Sequence, residues 1–117
     1  MSSVRNISMA KKINAGDLRH RITFQQEEKI EDGYKGYTVT WKDKISTWAL
    51  IEPLTGREYF YAHQITNEVS HRIIIRYRQD ITASMRIKYK NRIFNIESMI
   101  DLEERHIFLE FLCREIK

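Results

Sequence analysis

The chain has little of what disulfide-stapled, zinc-binding or linker proteins are built from. Its 117 residues include one cysteine, Cys113, one proline, Pro53, and only four glycines. A single cysteine excludes an intrachain disulfide and argues against a thiolate zinc site, which favours folding in a reducing compartment. Sparse proline and glycine exclude a low-complexity linker. At this length we expect one folded domain.

Catalytic motifs are missing as well. There is no Gly-x-Ser-x-Gly elbow, phosphate-binding loop, glycine-rich dinucleotide turn or His-Glu-x-x-His pair. The four histidines, His20, His63, His71 and His106, lack zinc-ligand spacing. His20 and His71 fall on strand faces that are expected to point inward, where core imidazoles are the simplest interpretation. The chain is therefore predicted to be no enzyme and to hold no metal or cofactor.

Long apolar runs are also absent. No segment approaches the roughly 20 residues that a membrane helix needs, and the first 14 residues contain no apolar stretch typical of a signal peptide. We expect residues 1–14 to form a flexible arm, residues 15–117 to form one domain, and no membrane partner. The 42% hydrophobic and 31% charged composition is typical of a globular protein.

What the sequence does contain is the two-residue alternation of β-strands. In the first such segment Leu18, His20, Ile22 and Phe24 share one face. Similar alternation recurs in residues 37–51, 69–77, 85–89, 92–101 and 106–114. About six strands in an open sheet would leave unpaired backbone groups at the edge strands. We therefore predict a mainly β fold, a small six-stranded β-barrel or a strongly curled antiparallel sheet.

Two interruptions of the alternation carry structural meaning. Residues 27–36 are polar and contain two glycines, which predicts a loop or a wide hairpin connection. Lys42-Asp43-Lys44 breaks the apolar pattern of the second strand, and a β-bulge or bend there would let one long strand curve around a barrel.

One short α-helix is predicted at about residues 56–66. Thr55 and Glu58 have the spacing of a capping box, and Leu54 and Tyr59 have the spacing of a hydrophobic staple. The helix is apolar around most of its circumference: Tyr59, Phe60, Tyr61, Ala62 and Ile65. Either loops and water cover the second face, or another subunit buries it, in which case Tyr59, Phe60, Tyr61 and Ile65 would form intersubunit or adaptor contacts.

Charge is distributed unevenly along the chain, whose net charge is +4. Basic residues occupy even-numbered positions in one stretch: Arg72, Arg76, Arg78, Arg86, Lys88, Lys90 and Arg92. Acidic residues dominate the last stretch: Glu97, Asp101, Glu103, Glu104, Glu110 and Glu115. In two adjacent strands the even-numbered positions would share one face.

Three interpretations of these charges stay open. The simplest is a solvated surface of uneven composition. A second is head-to-tail association, in which the basic face of one copy meets the acidic patch of the next and a ring results if the rotation closes. A third is contact between the basic face and DNA phosphates.

Several segments follow one another in a specific order and spacing. They are Ala15-Gly16-Asp17-Leu18-Arg19-His20-Arg21-Ile22, Trp48-Ala49, Glu52-Pro53-Leu54-Thr55-Gly56-Arg57-Glu58, His71-Arg72-Ile73-Ile74-Ile75-Arg76-Tyr77, Met85-Arg86-Ile87 with Tyr89, and Arg92-Ile93-Phe94-Asn95-Ile96. Together they resemble the phage head–tail joining family of head–tail adaptor and head closure (stopper) proteins. The resemblance runs from about residue 15 to 115.

The resemblance implies a small β-barrel with one helix and long loops, and a function in the virion. A family member would assemble in the host cytoplasm as a ring of copies, dodecameric like the portal. The ring would lie below the portal or its adaptor and above a tail-terminator or tail protein. It would join head to tail and help to close the DNA channel. The family has no catalytic residues to carry over.

Two other functions remain as alternatives. A nucleic-acid-binding small barrel of the OB type would bind oligonucleotides with a steep salt dependence. A small hydrolase or metal enzyme built on a barrel would contain bound metal. The head–tail connector is the interpretation that accounts for the whole chain.

Overall fold

Six β-strands account for most of the described residues of the computed structural model, which are 13–54 and 69–116. The strands are β1 (His20–Glu31), β2 (Tyr37–Pro53), β3 (His71–Arg76), β4 (Arg86–Tyr89), β5 (Arg92–Asp101) and β6 (Phe108–Ile116). Two short 3₁₀ turns, Ala15–Asp17 and Leu102–Glu104, complete the regular structure of the described residues.

The strands close into a barrel in the order β1-β2-β3-β6-β5-β4, with β4 returning to β1. Every neighbouring pair is antiparallel. Closure removes the free edges that an open sheet of this size would expose. The predicted six-stranded antiparallel barrel is confirmed.

The barrel interior is filled by the apolar face of each strand. Fully buried side chains from all six strands form one cluster, which includes Ile22, Phe24, Ala49, Ile73, Ile75, Ile87, Phe94, Phe111 and Cys113. The rings of Phe24 and Phe111 pack with their centroids 5.4 Å apart. Two-residue alternation is sufficient to produce this core, because a one-residue register slip would turn each apolar face outward.

A β-bulge lies where the second strand leaves the barrel. Phe24 pairs with Ile45, but the next residue, Gln25, pairs with Asp43, so Lys44 is the extra residue. The bulge predicted at residues 42–44 is confirmed. It bends the ribbon formed by β1 and β2 where the ribbon stops being part of the barrel wall.

The connection between β1 and β2 is shorter than the sequence indicated. β1 continues to Glu31, so much of the loop predicted at residues 27–36 is strand. The turn is organised by Asp32, whose Oδ1 accepts hydrogen bonds from the backbone N–H groups of Tyr34 (2.8 Å) and Gly36 (3.1 Å). The hairpin connection is confirmed, but its predicted extent is wrong, because residues 27–31 of β1 show no apolar alternation.

Two of the predicted segments lie wholly or mostly outside the described residues. The helix predicted at 56–66 lies outside the described residues, as do residues 1–12 of the predicted flexible arm. Ile13 packs against the cluster of Leu18, Leu50 and Ile74 on the outside of the barrel. The Asn14 backbone N–H donates to Asp17 Oδ2 at 3.0 Å.

Candidate functional site

A two-stranded hairpin projects from one end of the barrel. β4 pairs with β1 only as far as Gln25, and β3 pairs with β2 only from Ala49 onward. Beyond those points, residues 26–42 form a ribbon that no other described strand accompanies, which we call the projecting hairpin. An isolated two-stranded ribbon is at best marginally stable in water, so such a projection gains stability from contact with another surface.

The projecting hairpin carries exposed apolar side chains. Tyr37 is 66% and Val39 is 49% exposed, and both lie on the same face of β2 as the partly buried Trp41. Ile30 is 49% exposed on the opposite face, and Tyr34 at the tip is 91% exposed. Single apolar residues on a surface are ordinary, but a contiguous row is typical of an interaction site.

A polar network holds the base of the projecting hairpin. The amide Nε2 of Gln25 donates to Asp43 Oδ1 at 2.8 Å, and Arg86 Nε donates to Gln25 Oε1 at 2.8 Å. The Arg86 guanidinium also lies 4.3 Å from the Trp41 ring centroid, a cation–π distance. Desolvation lowers the pKa of Arg86 below its usual value. The network fixes the direction in which the projecting hairpin leaves the barrel.

Below this base, the outer wall of β4, β1 and β2 is basic and carries an exposed indole. Trp48 is 51% exposed, and the Arg21 guanidinium lies 5.4 Å from its ring centroid. Arg21 pairs across the ribbon with Trp48, and the exposed Lys88 of β4 pairs with Thr23. We call Arg21, Trp48 and Lys88 the basic wall.

The predicted basic face does not form as a single surface. β3 neighbours β2 and β6, whereas β4 neighbours β1 and β5, so the basic residues of β3 and β4 lie on different parts of the barrel. The prediction of one face from two adjacent strands is therefore wrong. Sequence spacing located the residues on strand faces but could not supply the order of the strands.

Arg72 is the clearest departure from that prediction, since its side chain is only 4% exposed. Its Nη2 donates to Glu52 Oε1 at 2.6 Å, and its Nε lies 3.9 Å from Glu110 Oε2, on a side chain with no exposed area. Buried charges persist when they are paired in this way. Arg72 and Glu110 are thus internal structural residues, and neither belongs to an exposed patch.

Arg92 is also paired with a residue of the predicted acidic patch. Its Nε donates to Glu115 Oε2 at 2.9 Å and its Nη2 to Glu115 Oε1 at 3.1 Å, so the pair is bidentate. Hydrogen bonding to the Glu115 carboxylate raises the pKa of Arg92 above its usual value. His71 lies beside the pair, with its Nε2 3.3 Å from Arg92 Nη2, and its ring packs against Phe94.

The remaining basic residues divide into paired and exposed groups. Arg78 forms a bidentate pair with Asp80 at 2.9 and 2.8 Å on the surface. Arg76, Lys88 and Lys90 are exposed, and among the described residues none of the three forms an ion pair. These three are what is left of the predicted basic face.

The predicted acidic patch is likewise broken up by local pairs. Glu97 accepts from Arg114 Nε at 3.4 Å, and Glu103 accepts from Arg105 Nη1 at 3.4 Å. Asp101 Oδ2 lies 2.5 Å from His106 Nδ1, while Glu104 is exposed. With Glu110 buried and Glu115 paired, no continuous acidic surface remains among the described residues.

The other titratable groups of the described residues lie in local pairs, are buried singly or are exposed to solvent. Within residues 13–54 and 69–116, no group of three or more His, Cys, Asp or Glu side chains could hold a metal ion. Burial raises the pKa of the Cys113 thiol, so this cysteine is neutral at physiological pH. His20 packs edge-on against Tyr89, with 5.2 Å between the ring centroids. His71 packs against a different ring, that of Phe94. In the same described part of the chain, no helix is long and apolar enough to cross a membrane.

Other candidate residues lie outside the described part of the chain. They are the helix cap Thr55 and Glu58 and the proposed contact residues Tyr59, Phe60, Tyr61 and Ile65. The segment that contains them starts after Leu54 and returns at Val69, at the barrel end opposite the projecting hairpin. There the Leu54 backbone N–H donates to the Ser70 carbonyl at 3.0 Å.

Sequence reasoning missed both the projecting hairpin and the basic wall. A usable signal was present, because Tyr37, Val39 and Trp41 alternate well beyond the length needed to line a small barrel. The basic wall was harder to find, since Arg21, Trp48 and Lys88 come from three strands whose order is not visible in the sequence.

A closed antiparallel barrel with several charges paired internally and apolar surface on a projection is typical of a structural protein that acts through contacts. Comparison with known proteins specifies the class. Residues 13–116 match the family described as phage head completion protein. The chain belongs to this family, and it is a structural component of the phage particle.

Individual relatives agree with this assignment. The chain is 31% identical over 72 residues to head completion protein gp16 of Bacillus phage SPP1, a match that covers 62% of this chain and 66% of that protein. It also resembles the solution structure of protein SF1141 from Shigella flexneri 2a, with 34% identity and a TM-score of 0.72 over 88% of this chain and 96% of that one.

A more distant likeness supports the fold alone. A chain in the virion of a native gene transfer agent particle is 17% identical and superposes with a TM-score of 0.59, over 85% of this chain and 96% of that one.

Proposed function

We propose that the protein is a ring subunit of the phage head–tail connector. The ring lies below the portal or its adaptor, receives a tail-terminator or tail protein on its other side, and helps to close the DNA channel after packaging. Family membership supports a role in completing the head. Beyond that role, we propose the ring, its dodecameric symmetry and the closure of the channel.

The observation that carries the proposal is the projecting hairpin. Tyr34, Tyr37 and Val39 leave apolar area in water on a ribbon that no third strand of the described residues joins. A protein that functions as a monomer has no use for such a projection, whereas a ring subunit has a neighbour on each side that can cover it.

Residues 55–68, which contain the second group of proposed contacts, join the described chain at the opposite barrel end. Leu54 and Val69 anchor the segment that contains Tyr59, Phe60, Tyr61 and Ile65 at that end. These side chains are proposed to contact the adaptor or a neighbouring copy. The two ends of the barrel would then serve different contacts, as is expected of a subunit that lies between unlike proteins.

The exposed basic residues fit the channel or an acidic partner. Arg76, Lys88 and Lys90 remain without ion pairs in the described structure, and the chain carries a net charge of +4. Positive charge of this kind binds DNA phosphates without sequence preference, and a ring would gather many copies around one duplex.

The OB-type alternative fits the geometry less well. An OB-fold is a five-stranded Greek-key barrel, whereas this barrel has six strands in the order β1-β2-β3-β6-β5-β4. Oligonucleotide binding by the isolated chain, weakening steeply with salt, would support that alternative and count against the connector.

The test is removal of the gene from the phage or prophage, followed by complementation with a plasmid copy. Without the protein we expect DNA-filled or leaking heads without attached tails, and the wild-type copy should restore infectious particles. A plasmid copy carrying Phe24→Asp, which disrupts the barrel core, serves as the non-folding control. Normal yields of tailed, infectious particles in the deletion strain would overturn the proposal.

A further inference from the structure

The outer face of the β1–β2 ribbon changes sign along its length. Near the barrel this face carries Arg21, beside Trp48 and Lys88 of the basic wall. On the projecting hairpin the same face carries Glu27, Lys29 and Glu31, because alternate residues of β1 lie on the same face. The surface is therefore basic near the barrel, while on the projecting hairpin it carries an apolar row beside two carboxylates and one lysine, a net negative charge.

The projecting hairpin carries charged side chains that form no ion pair with the described residues of its own barrel. Glu27 and Glu31 form no ion pair within residues 13–54 and 69–116, and they lie directly across from Trp41 and Tyr37. Cross-strand neighbours of this kind combine an apolar surface with a negative rim. The surface that it matches is apolar at its centre and positive around it.

The basic wall has that composition. The half-exposed Trp48 of β2 supplies the apolar centre, Arg21 lies across from it on β1, and Lys88 lies across from Thr23 on β4, the next strand. A tryptophan flanked by basic side chains is the kind of group that anchors protein interfaces.

The two surfaces cannot meet within one copy. Ten residues of extended strand separate Arg21 from Glu31, roughly 33 Å at about 3.3 Å per residue. The network of Gln25, Asp43 and Arg86 also holds the projecting hairpin away from the barrel. Their charges can therefore be brought together only between two molecules.

We propose that the projecting hairpin of one copy docks on the basic wall of the next copy, head to tail. This inference rests on the proposed ring function and names the surface that joins neighbouring subunits. Because the projecting hairpin and the basic wall are different surfaces, the contact is heterologous. Each copy can therefore bind one neighbour through its projecting hairpin and another through its basic wall. Such contacts close into a ring when the rotation between copies permits.

The contact can be tested by disulfide trapping in assembled particles. The chain's single cysteine, Cys113, is fully buried and gives a silent background. Val39→Cys on the projecting hairpin combined with Ser46→Cys beside Trp48 should yield, after mild oxidation, a ladder of covalent multimers. Each single variant should yield no ladder. Pairing Val39→Cys with Glu97→Cys, on the far side of the barrel, is the matched control and should also yield none.

A charge exchange tests the same contact without cysteines. Glu27→Lys with Glu31→Lys should abolish incorporation into particles while the barrel stays folded. Adding Arg21→Glu with Lys88→Glu in the same chain should restore incorporation, because every interface then carries the reversed pair. Failure of the fourfold variant to recover, with both parents folded, argues against the contact.

The outcomes separate this inference from the proposed function. A chain found at the head–tail junction that gives no ladder overturns hairpin docking and leaves the proposed function standing. A ladder from a chain found elsewhere in the particle overturns the location and leaves the docking. A product that stops at the dimer shows face-to-face pairing, and a cross-link to a different virion protein shows another partner, so either result overturns head-to-tail docking.

Discussion

Arg72 on β3 forms ion pairs with a carboxylate on each neighbouring strand, Glu52 of β2 and Glu110 of β6. Its Nη2 is 2.6 Å from Glu52 Oε1, and its Nε is 3.9 Å from Glu110 Oε2, on a side chain with no solvent exposure. Removing one partner of a buried pair leaves the other charge uncompensated at a cost of about 3–5 kcal/mol. We expect Arg72→Met to lower the free energy of unfolding by that amount in denaturant titrations.

A nearby exposed arginine provides the control for this loss. Arg76 lies on the same strand with its side chain in solvent, so Arg76→Met should change stability by less than about 0.5 kcal/mol. The double variant Arg72→Met with Glu110→Met should recover part of the loss, since both buried charges are then absent. Equal effects of the two arginine variants would show that the pairing does not stabilise the barrel.

The base of the projecting hairpin should respond locally to loss of Arg86. Arg86→Ala removes a hydrogen bond to Gln25 and the cation–π contact with Trp41, together worth about 1–2 kcal/mol. Backbone amides of the projecting hairpin should exchange faster with solvent, while those of Ile73 and Phe111 in the core keep their protection. Lys88→Ala, two residues further along β4, should leave both groups of amides unchanged. A uniform loss of protection across the molecule would contradict this account.

Asp80 should titrate below the ordinary aspartate range. The bidentate hydrogen bonds from Arg78 lower its pKa from the usual 3.8. A lowered carboxyl pKa gives stabilisation that is present above the unfolded-state pKa and lost as the pH falls through the folded-state value. Because the pair is exposed, the effect belongs to this loop and not to global stability.

The titration of Asp80 can be followed by NMR of its side-chain carboxyl carbon. Arg78→Gln should move the midpoint up toward 3.8, whereas Arg78→Lys should move it only part of the way, since it keeps the charge but loses the bidentate geometry. A wild-type midpoint at or above 3.8 would be inconsistent with the observed pair.

Charge reversal at Arg76 and Lys88 distinguishes functional from solvating charge. Both side chains are exposed and free of ion pairs in the described structure, so Arg76→Glu with Lys88→Glu should leave thermal unfolding almost unchanged. We expect the double variant to be lost from virions. Since the two residues lie on non-neighbouring strands, the single variants should have separate effects, with Lys88→Glu the stronger through the basic wall. Normal particles with the double variant would mean that these charges only solvate the surface.

The fold was largely accessible from the sequence because it depends on a local pattern. Alternation at Ile22, Phe24, Ile73 and Ile75 identifies the inward faces, and the break at residues 42–44 identifies the bulge. Six strands with exposed edges then leave few architectures other than a closed barrel. The exception was β1 beyond Gln25, where both faces are solvated and the alternation disappears.

The candidate site was less accessible because it depends on which strands are neighbours. Arg72 and Glu110 are 38 positions apart in the sequence and meet only because β3 pairs with β6. The distribution of charge along the chain therefore predicted one basic and one acidic patch. In the barrel, several residues of the two predicted patches form ion pairs with each other instead. The basic wall is assembled from three strands in the same way.

The central claim is a ring of these barrels at the head–tail junction, and cryo-electron microscopy of intact particles tests it most directly. The account predicts a closed ring of twelve copies below the portal or its adaptor, with each projecting hairpin lying on the neighbouring barrel. Density for this barrel in another part of the virion, or as isolated copies that do not touch one another, would contradict it.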